Sequence, residues 1–330
     1  MRLESVARTP EAYQRPLTEQ QIQAMADRLL GDVEVTAAVE LGDGTYNTTY
    51  RVELGRGDVP ACILRVAPEP ARQYRSERGF MRSEHAAAPY FAPIAALLPR
   101  TLGVDFTHQV VGRDYMFQTI VPGIPARIGL QNYPREEWGP FFRQLGEISR
   151  RIHAVHGDHF GPLSPLGRPA HATWSDAVHA MLGDIIADLD DAEIPADDVR
   201  EVLAIAVQGK DVLDEIETPS LLHGDLWTIN VMLAEHAPEP TVTGLFDCDR
   251  VIWGDPESDW AIYRAAGRPG TERDAFWTGY GPLDPAPHAA WRRTLYEARN
   301  VAAVRLERFR LGLDLAESYD ELRTVIGRLA

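Results

Sequence analysis

The 330-residue chain has one lysine, two cysteines and no long apolar run. Each scarcity excludes something. Lys210 is the only lysine against 32 arginines. A phosphate-binding P-loop needs Gly-Lys followed by Ser or Thr. The only Gly-Lys here, Gly209-Lys210, is followed by Asp211, so that class is out. Lys210 lies in a polar, helix-like stretch, which argues against Schiff-base or pyridoxal chemistry. Two cysteines, Cys62 and Cys248, cannot build a disulfide framework, so a reducing compartment is expected. Pro89, Pro93 and Pro99 interrupt the Ala-rich stretch, and nothing approaches a membrane span. The opening residues lack the apolar core of a signal peptide, so the cytoplasm is the expected location.

Basic charge is also short. The formal net charge is −16, which argues against a nucleic-acid partner bound through its phosphates. The deficit is uneven: residues 1–150 carry a net −1 and residues 151–330 a net −15.

The hydrophobic pattern divides the chain in two. Residues 16–31 read as a helix, with Thr18 and Gln21 as a capping box and Ile22, Met25, Leu29 and Leu30 on one face. Strands are expected over 33–37, 49–54 and 61–66, then a helix over 72–88 and two strands near 109–111 and 115–121. Helical periodicity dominates from about 136. Phe141, Leu145, Ile148 and Ile152 form one face, and 199–213 and 291–311 give others. Residues 220–247 read as a hairpin among helices, and 157–170 as a surface loop. The fold class is therefore α+β, with a small β-rich N-terminal lobe (1–120) and a larger, mostly helical C-terminal lobe (121–330).

The chemistry concentrates in residues 221–233, LLHGDLWTINVML. Asp225 and Asn230 have the spacing of the base and the metal ligand in a kinase-type catalytic loop. A strand over 231–233, a turn and a return strand over 242–246 would bring Asp247 back towards Asn230. Both are oxygen ligands suited to Mg²⁺.

This segment, followed by Gly254-Asp255-Pro256-Glu257-Ser258-Asp259-Trp260, resembles the aminoglycoside phosphotransferase and fructosamine kinase family across roughly residues 35–265. The resemblance implies a bilobal protein-kinase-like fold. It implies Asp225 as catalytic base, Asn230 and Asp247 as Mg²⁺ ligands, and Asp259 as a brace for the loop backbone. His153 matches a helix position of the family and reads as structural. His223 is expected to order the loop.

The other lobe should cover a nucleotide. Gly42-Asp43-Gly44 precedes an alternating strand, not a helix, so it reads as a phosphate-covering turn that includes Asn47 and Thr48 rather than a dinucleotide fingerprint. Arg65 occupies the strand position where kinases carry lysine; with Lys210 distant, Arg65 is the phosphate contact. Glu84 is its expected partner acid, with Glu77 as second choice. The backbone from Gln118 to Ile120 is the expected purine contact.

Only seven residues separate Asp247 from Asp255, and no A-P-E triplet follows. A peptide-holding segment has no room, so a small-molecule hydroxyl is the expected acceptor. The cofactors expected are ATP, or GTP, with Mg²⁺. Trp227 and Asp249 are candidate substrate contacts. The acidic C-terminal half suits a cationic acceptor such as an aminoglycoside, which would make the enzyme an antibiotic-resistance or self-resistance kinase. A nucleoside antibiotic, a macrolide or a metabolic sugar fits the same machinery. Two further readings are a silent nucleotide-binding module and a metallo-hydrolase built on His223 and Asp225.

Overall fold

The computed structural model describes residues 1–8, 12–42, 44–55, 59–163 and 169–329. Asp43 and residues 164–168 of the expected surface loop lie outside them. The chain separates into two compact units. One comprises Met1–Gln73, Ala96–Gly123 and Thr243–Phe246; the other comprises Tyr74–Ala95, Ile124–Val242 and Asp247–Ala330. The division differs from a single cut near residue 120. The 74–95 segment folds with the helical unit, and the return strand before Asp247 belongs mostly to the other.

The first unit is a six-stranded sheet in the order β1-β2-β3-β4-β6-β5. β1 (Arg2–Glu4) runs parallel to β2 (Val35–Leu41), and the remaining pairings are antiparallel. Three residues are too few to show periodicity, so β1 was not legible. Helix α1 (Glu19–Leu30) starts at the Thr18–Gln21 capping box and buries Ile22 and Met25 on the sheet. The long meander β2, β3 (Thr48–Leu54) and β4 (Ala61–Val66) places Arg65 opposite Thr49 and, across β6 (Tyr115–Gln118), opposite Met116. The remaining edge is β5 (Thr101–Asp105), not a strand at 109–111. There the backbone turns: His108 and Gly112 are left-handed, and Asp105 accepts the Thr107 N–H at 2.7 Å.

The second unit begins with a difference from the expected 72–88 helix. Short 3₁₀ turns at Pro70–Arg72 and Arg75–Glu77 precede α2 (Phe80–Ala87). The Arg75 N–H is taken by the Asp188 carboxylate, and Gly79 is left-handed at the start of α2. A two-residue strand β7 (Ile124–Pro125) and short α3 (Ala126–Gly129) lead to α4 (Gly139–His153). Then come β8 (Gly161–Pro162), α5 (Trp174–Asp191), α6 (Asp197–Gln208) and α7 (Lys210–Leu213). Gly209 separates α6 from α7 within the periodic run over 199–213, and a Cβ there would lie 2.1 Å from the Trp291 ring. β9 (Ser220–Leu222), β10 (Val231–Leu233), β11 (Val242–Leu245) and β12 (Ile252–Gly254) flank the segments that carry Asp225 and Asp247. β12 pairs with both β8 and β9, a small sheet the hairpin reading did not contain. Helices α8 (Trp260–Ala266), α9 (Ala275–Tyr280), α10 (Pro287–Arg310) and α11 (Ala316–Ile326) complete the unit. Its core runs from Trp174 through Leu182, Val199, Leu295 and Leu306 to Leu322. Among the described residues no helix is long and apolar enough to cross a membrane.

Candidate active site

Asp225 sits between β9 and β10 on a loop shaped by three constraints. Gly224 has φ +79°, and a Cβ there would lie 2.2 Å from the Arg250 carbonyl oxygen. Asp259 accepts the N–H groups of His223 and Gly224 at 3.1 and 3.0 Å. The Asn230 amide donates to the Asp225 carbonyl at 2.8 Å, closing the loop on itself.

The brace reaches further. His153 Nε2 meets Asp259 at 2.9 Å and His153 Nδ1 meets the Tyr280 hydroxyl at 2.9 Å. Tyr280 can reach because α4 and α9 pack almost backbone to backbone. A Cβ on Gly146 would lie 2.1 Å from Phe276 O, and one on Gly279 2.0 Å from Arg143 O. Burial alone would raise the Asp259 carboxyl, but its hydrogen bond and charge interaction with His153 and the nearby His223 hold it below the ordinary range. Burial keeps His223 low and its ring neutral. Its Nδ1 faces the Asp225 N–H at 3.4 Å and its Nε2 faces Cys248 Sγ at 3.4 Å. His223 therefore serves the loop, and Cys248 is its buried neighbour.

Burial pushes the Asp225 carboxyl up to about 6; Arg250 pulls it down and Asp247 adds to the rise. Arg250 Nε lies 3.5 Å from Asp225 Oδ2. Burial works against its charge, yet Asp225, Asp249, Glu307 and Asp247 together hold Arg250 above the usual arginine range. Arg250 and Glu307 went unnoticed in the sequence: one follows the Asp247-Cys248-Asp249 triplet, and the other lies far beyond it on a periodic helix, with no motif around it.

Asp247 has φ +62°, a left-handed backbone in a residue with a side chain. Such strain costs about 1–3 kcal/mol and collects at functional positions. Its carboxylate lies within 4.8 Å of those of Asp249 and Glu84. Two like charges at that separation repel by roughly 3 kcal/mol at an effective dielectric of 20. Three hard oxygen donors in one place fit a divalent cation. Two members of this grouping were not expected as cation ligands. Glu84, expected as the partner acid of Arg65, lies in the same unit as Asp247 and within reach of it. Asp249, expected at the substrate, is buried beside Asp247.

Trp227 also differs. It is 4% exposed. Phe142 packs 5.5 Å from its ring, and the Arg264 and Arg273 guanidiniums lie 5.7 and 5.2 Å from its centre. It packs the loop and presents no open face to a substrate. Asp255 accepts from the Glu257 N–H at 2.9 Å and the Tyr296 hydroxyl at 2.7 Å, so the residues before Asp259 secure the approach to α8.

In the first unit, Gln14 pins residues 44–47 of the expected turn. Its Nε2 donates to Gly44 O at 3.1 Å and Asn47 O at 2.6 Å. Thr48 donates to Arg15 O. Gln14 was not anticipated, since it lies 30 positions away in an unpatterned segment. Arg65 is buried on β4. Gln118 ends β6 and is buried, and the Thr119 N–H is bonded to Arg100 O at 2.9 Å, leading the chain towards Ile120.

A sequence model of the phosphotransferase enzyme family matches residues 37–294. The chain belongs to the phosphotransferase enzyme family. No curated protein sequence matches it. Solved structures match the phosphotransferase nearly end to end. A thermostable mutant of aminoglycoside phosphotransferase APH(4)-Ia in its apo form is 19% identical, covering 94% of this chain and 97% of its own, with a TM-score of 0.62. Another thermostable mutant of that protein, in ternary complex with ADP and hygromycin B, is 18% identical over 93% of this chain and 95% of its own, with a TM-score of 0.60. The GDP complex of wild-type aminoglycoside 2'-phosphotransferase-IIIa is 16% identical over 94% and 99%, with a TM-score of 0.63. The phosphotransferase thus has the protein-kinase-like fold of these enzymes.

Proposed function

We propose that the phosphotransferase moves the terminal phosphate of ATP, or GTP, to a hydroxyl of a small molecule, with Mg²⁺ bound by the Asp247 group. The observation that carries this reading is Asp225 itself: a carboxylate on a loop braced by Asp259, beside a three-carboxylate cluster. Asp225 accepts the acceptor proton and orients the attacking oxygen. Asp247, Asp249 and Glu84 supply the oxygen ligands, with Asn230 as a further donor. The cation, when bound, neutralises phosphate charge. Arg65 and the 42–47 turn, with Thr48, serve the nucleotide phosphates, and the backbone of 118–120 serves the base.

Gly44 supports the nucleotide role of the turn. Its backbone is not left-handed, and a Cβ would meet only Asn47 O, at 3.8 Å. Packing among the described residues gives no reason for glycine there; close approach of a phosphate does.

For the acceptor, an antibiotic hydroxyl is the leading reading. The solved proteins of the same fold include complexes with hygromycin B and kanamycin. A metabolic sugar kinase of fructosamine type is the second. Incubation with ATP and Mg²⁺ against a panel of aminoglycosides, nucleoside antibiotics, macrolides and amino sugars, read by mass, tests both. An added phosphate on any member supports the reading, and ATP that stays intact with every member counts against it.

A further inference from the structure

The residues around Trp227 carry a charge opposite to the half of the chain in which they lie. Residues 151–330 hold a net −15, and the two buried arginines described in this half are paired: Arg292 meets Glu215 at 2.6 Å and Arg305 meets Asp198 at 2.6 Å. Half-buried Arg264 and Arg273 and exposed Arg268 differ. Among the described residues none of the three makes an ion pair. Arg264 and Arg273 hold their guanidiniums over the same indole. Arg273 Nη1 donates to the Arg264 carbonyl at 2.8 Å, and the Arg264 guanidinium donates to no described residue. The Nε atoms of both are buried without a partner. Of the acids in the same turn, Glu272 is committed to Arg135 at 2.8 Å, which brings in a fourth cation, and Asp274 accepts the Gly270 N–H at 2.9 Å. Burial, then Arg264 and Arg268, hold Arg273 below the usual arginine range.

Stacking on Trp227, and of Arg264 on Trp260 at 5.7 Å as well, places the guanidiniums but supplies no acceptor for their N–H groups. The carboxylate that acts on Arg273, Glu272, is shared with Arg135. Buried polar groups are nearly always bonded, and uncompensated cations repel. Arginine forks match planar carboxylates and phosphate oxygens two bonds at a time. We infer that Arg264, Arg268 and Arg273 form a binding site for an oxyanion, a carboxylate or a phosphate, beside the catalytic loop. Trp227 lies two residues after Asp225, so the anion is either a group on the small-molecule ligand or a free ion held next to it. The inference does not depend on phosphoryl transfer, and its test requires no turnover.

The test is calorimetric titration of the full-length protein with inorganic phosphate, without nucleotide, at ionic strength fixed with sodium chloride. The expected result is saturable binding that weakens by about tenfold or more in R264Q/R273Q, the loss of at least one charge-assisted hydrogen bond. The same loss should appear when R264Q/R273Q is introduced into an R65Q background, which separates this site from the nucleotide phosphates. Wild-type affinity in a folded R264Q/R273Q protein, or no loss from R264Q/R273Q in the R65Q background, overturns the site. If the double variant does not fold, exposed Arg268 decides: R268Q should weaken phosphate severalfold, and unchanged affinity overturns the site. A second arm titrates glucose, glucuronate and glucose 6-phosphate. A preference for the charged sugars that R264Q/R273Q abolishes places the anion on the ligand. Arginine-dependent phosphate binding without that preference assigns the site to a free ion.

Discussion

His153 Nε2 lies 2.9 Å from Asp259 Oδ2, and through that contact the end of α4 holds the loop that carries Asp225. The carboxylate has its other partners on the His223 and Gly224 N–H groups. Replacing His153 with alanine leaves a buried carboxylate short of one donor. The expected cost is about 1–3 kcal/mol in urea unfolding. Because the loop is positioned and not removed, kcat should fall more than the substrate KM rises. Equal stability and kinetics for His153→Ala would show that the brace does not act on the loop.

Asp259 also sets an acid limit. Its folded carboxyl lies below the ordinary range, so its contribution to stability is present above the unfolded value near ~3.9. That contribution fades as pH falls through the lower, folded value. Asp259→Asn should be less stable than the wild type at neutral pH, and the gap should narrow below about pH 4. A gap that widens in acid contradicts the assignment.

Gly279 lets α9 approach α4. Gly279→Ala places a methyl 2.0 Å from the Arg143 carbonyl and should destabilise by about 1–3 kcal/mol. Thermal unfolding checks this. Activity measured well below the melting temperature should fall as well, since the shift displaces Tyr280 from His153.

Gly44→Ala should behave in the opposite manner. The site has room for a methyl, so stability should hold or rise by about 0.4–1 kcal/mol. The KM for ATP should rise severalfold with little change in the acceptor KM. An unchanged ATP KM would remove the turn from nucleotide binding.

Glu84→Gln tests the carboxylate cluster. With Glu84 beside Asp247 and Asp249, the Mg²⁺ concentration for half-maximal activity should rise about 10- to 100-fold. An unchanged Mg²⁺ requirement would return Glu84 to a role outside the cation site.

Local signals were legible in the chain and long-range ones were not. The Thr18 cap, the β2–β4 meander and the Phe141–Ile152 face lie within single elements, where periodicity and capping chemistry act over a few residues. The loop from His223 to Asn230 carries its own spacing. By contrast, the end of the 3₁₀ turns before α2 depends on Asp188, more than 100 positions away. The Gln14 support for residues 44–47 and the Glu307 charge near Asp225 have no local pattern. Trp227 looked available because of its neighbours in sequence, and its burial is decided by Phe142, Arg264 and Arg273 from three other elements. Arg250 was adjacent to a recognised triplet, but nothing in its type or spacing distinguishes a site arginine from a surface one in a chain with 32 of them.

The central claim is that Asp225 performs the proton chemistry of phosphoryl transfer. The most direct measurement is single-turnover phosphorylation of an acceptor by Asp225→Ala, with nucleotide affinity determined on the same preparation. The account predicts turnover reduced by about 10²- to 10⁴-fold with nucleotide binding retained. Turnover at the wild-type rate in that variant would contradict it.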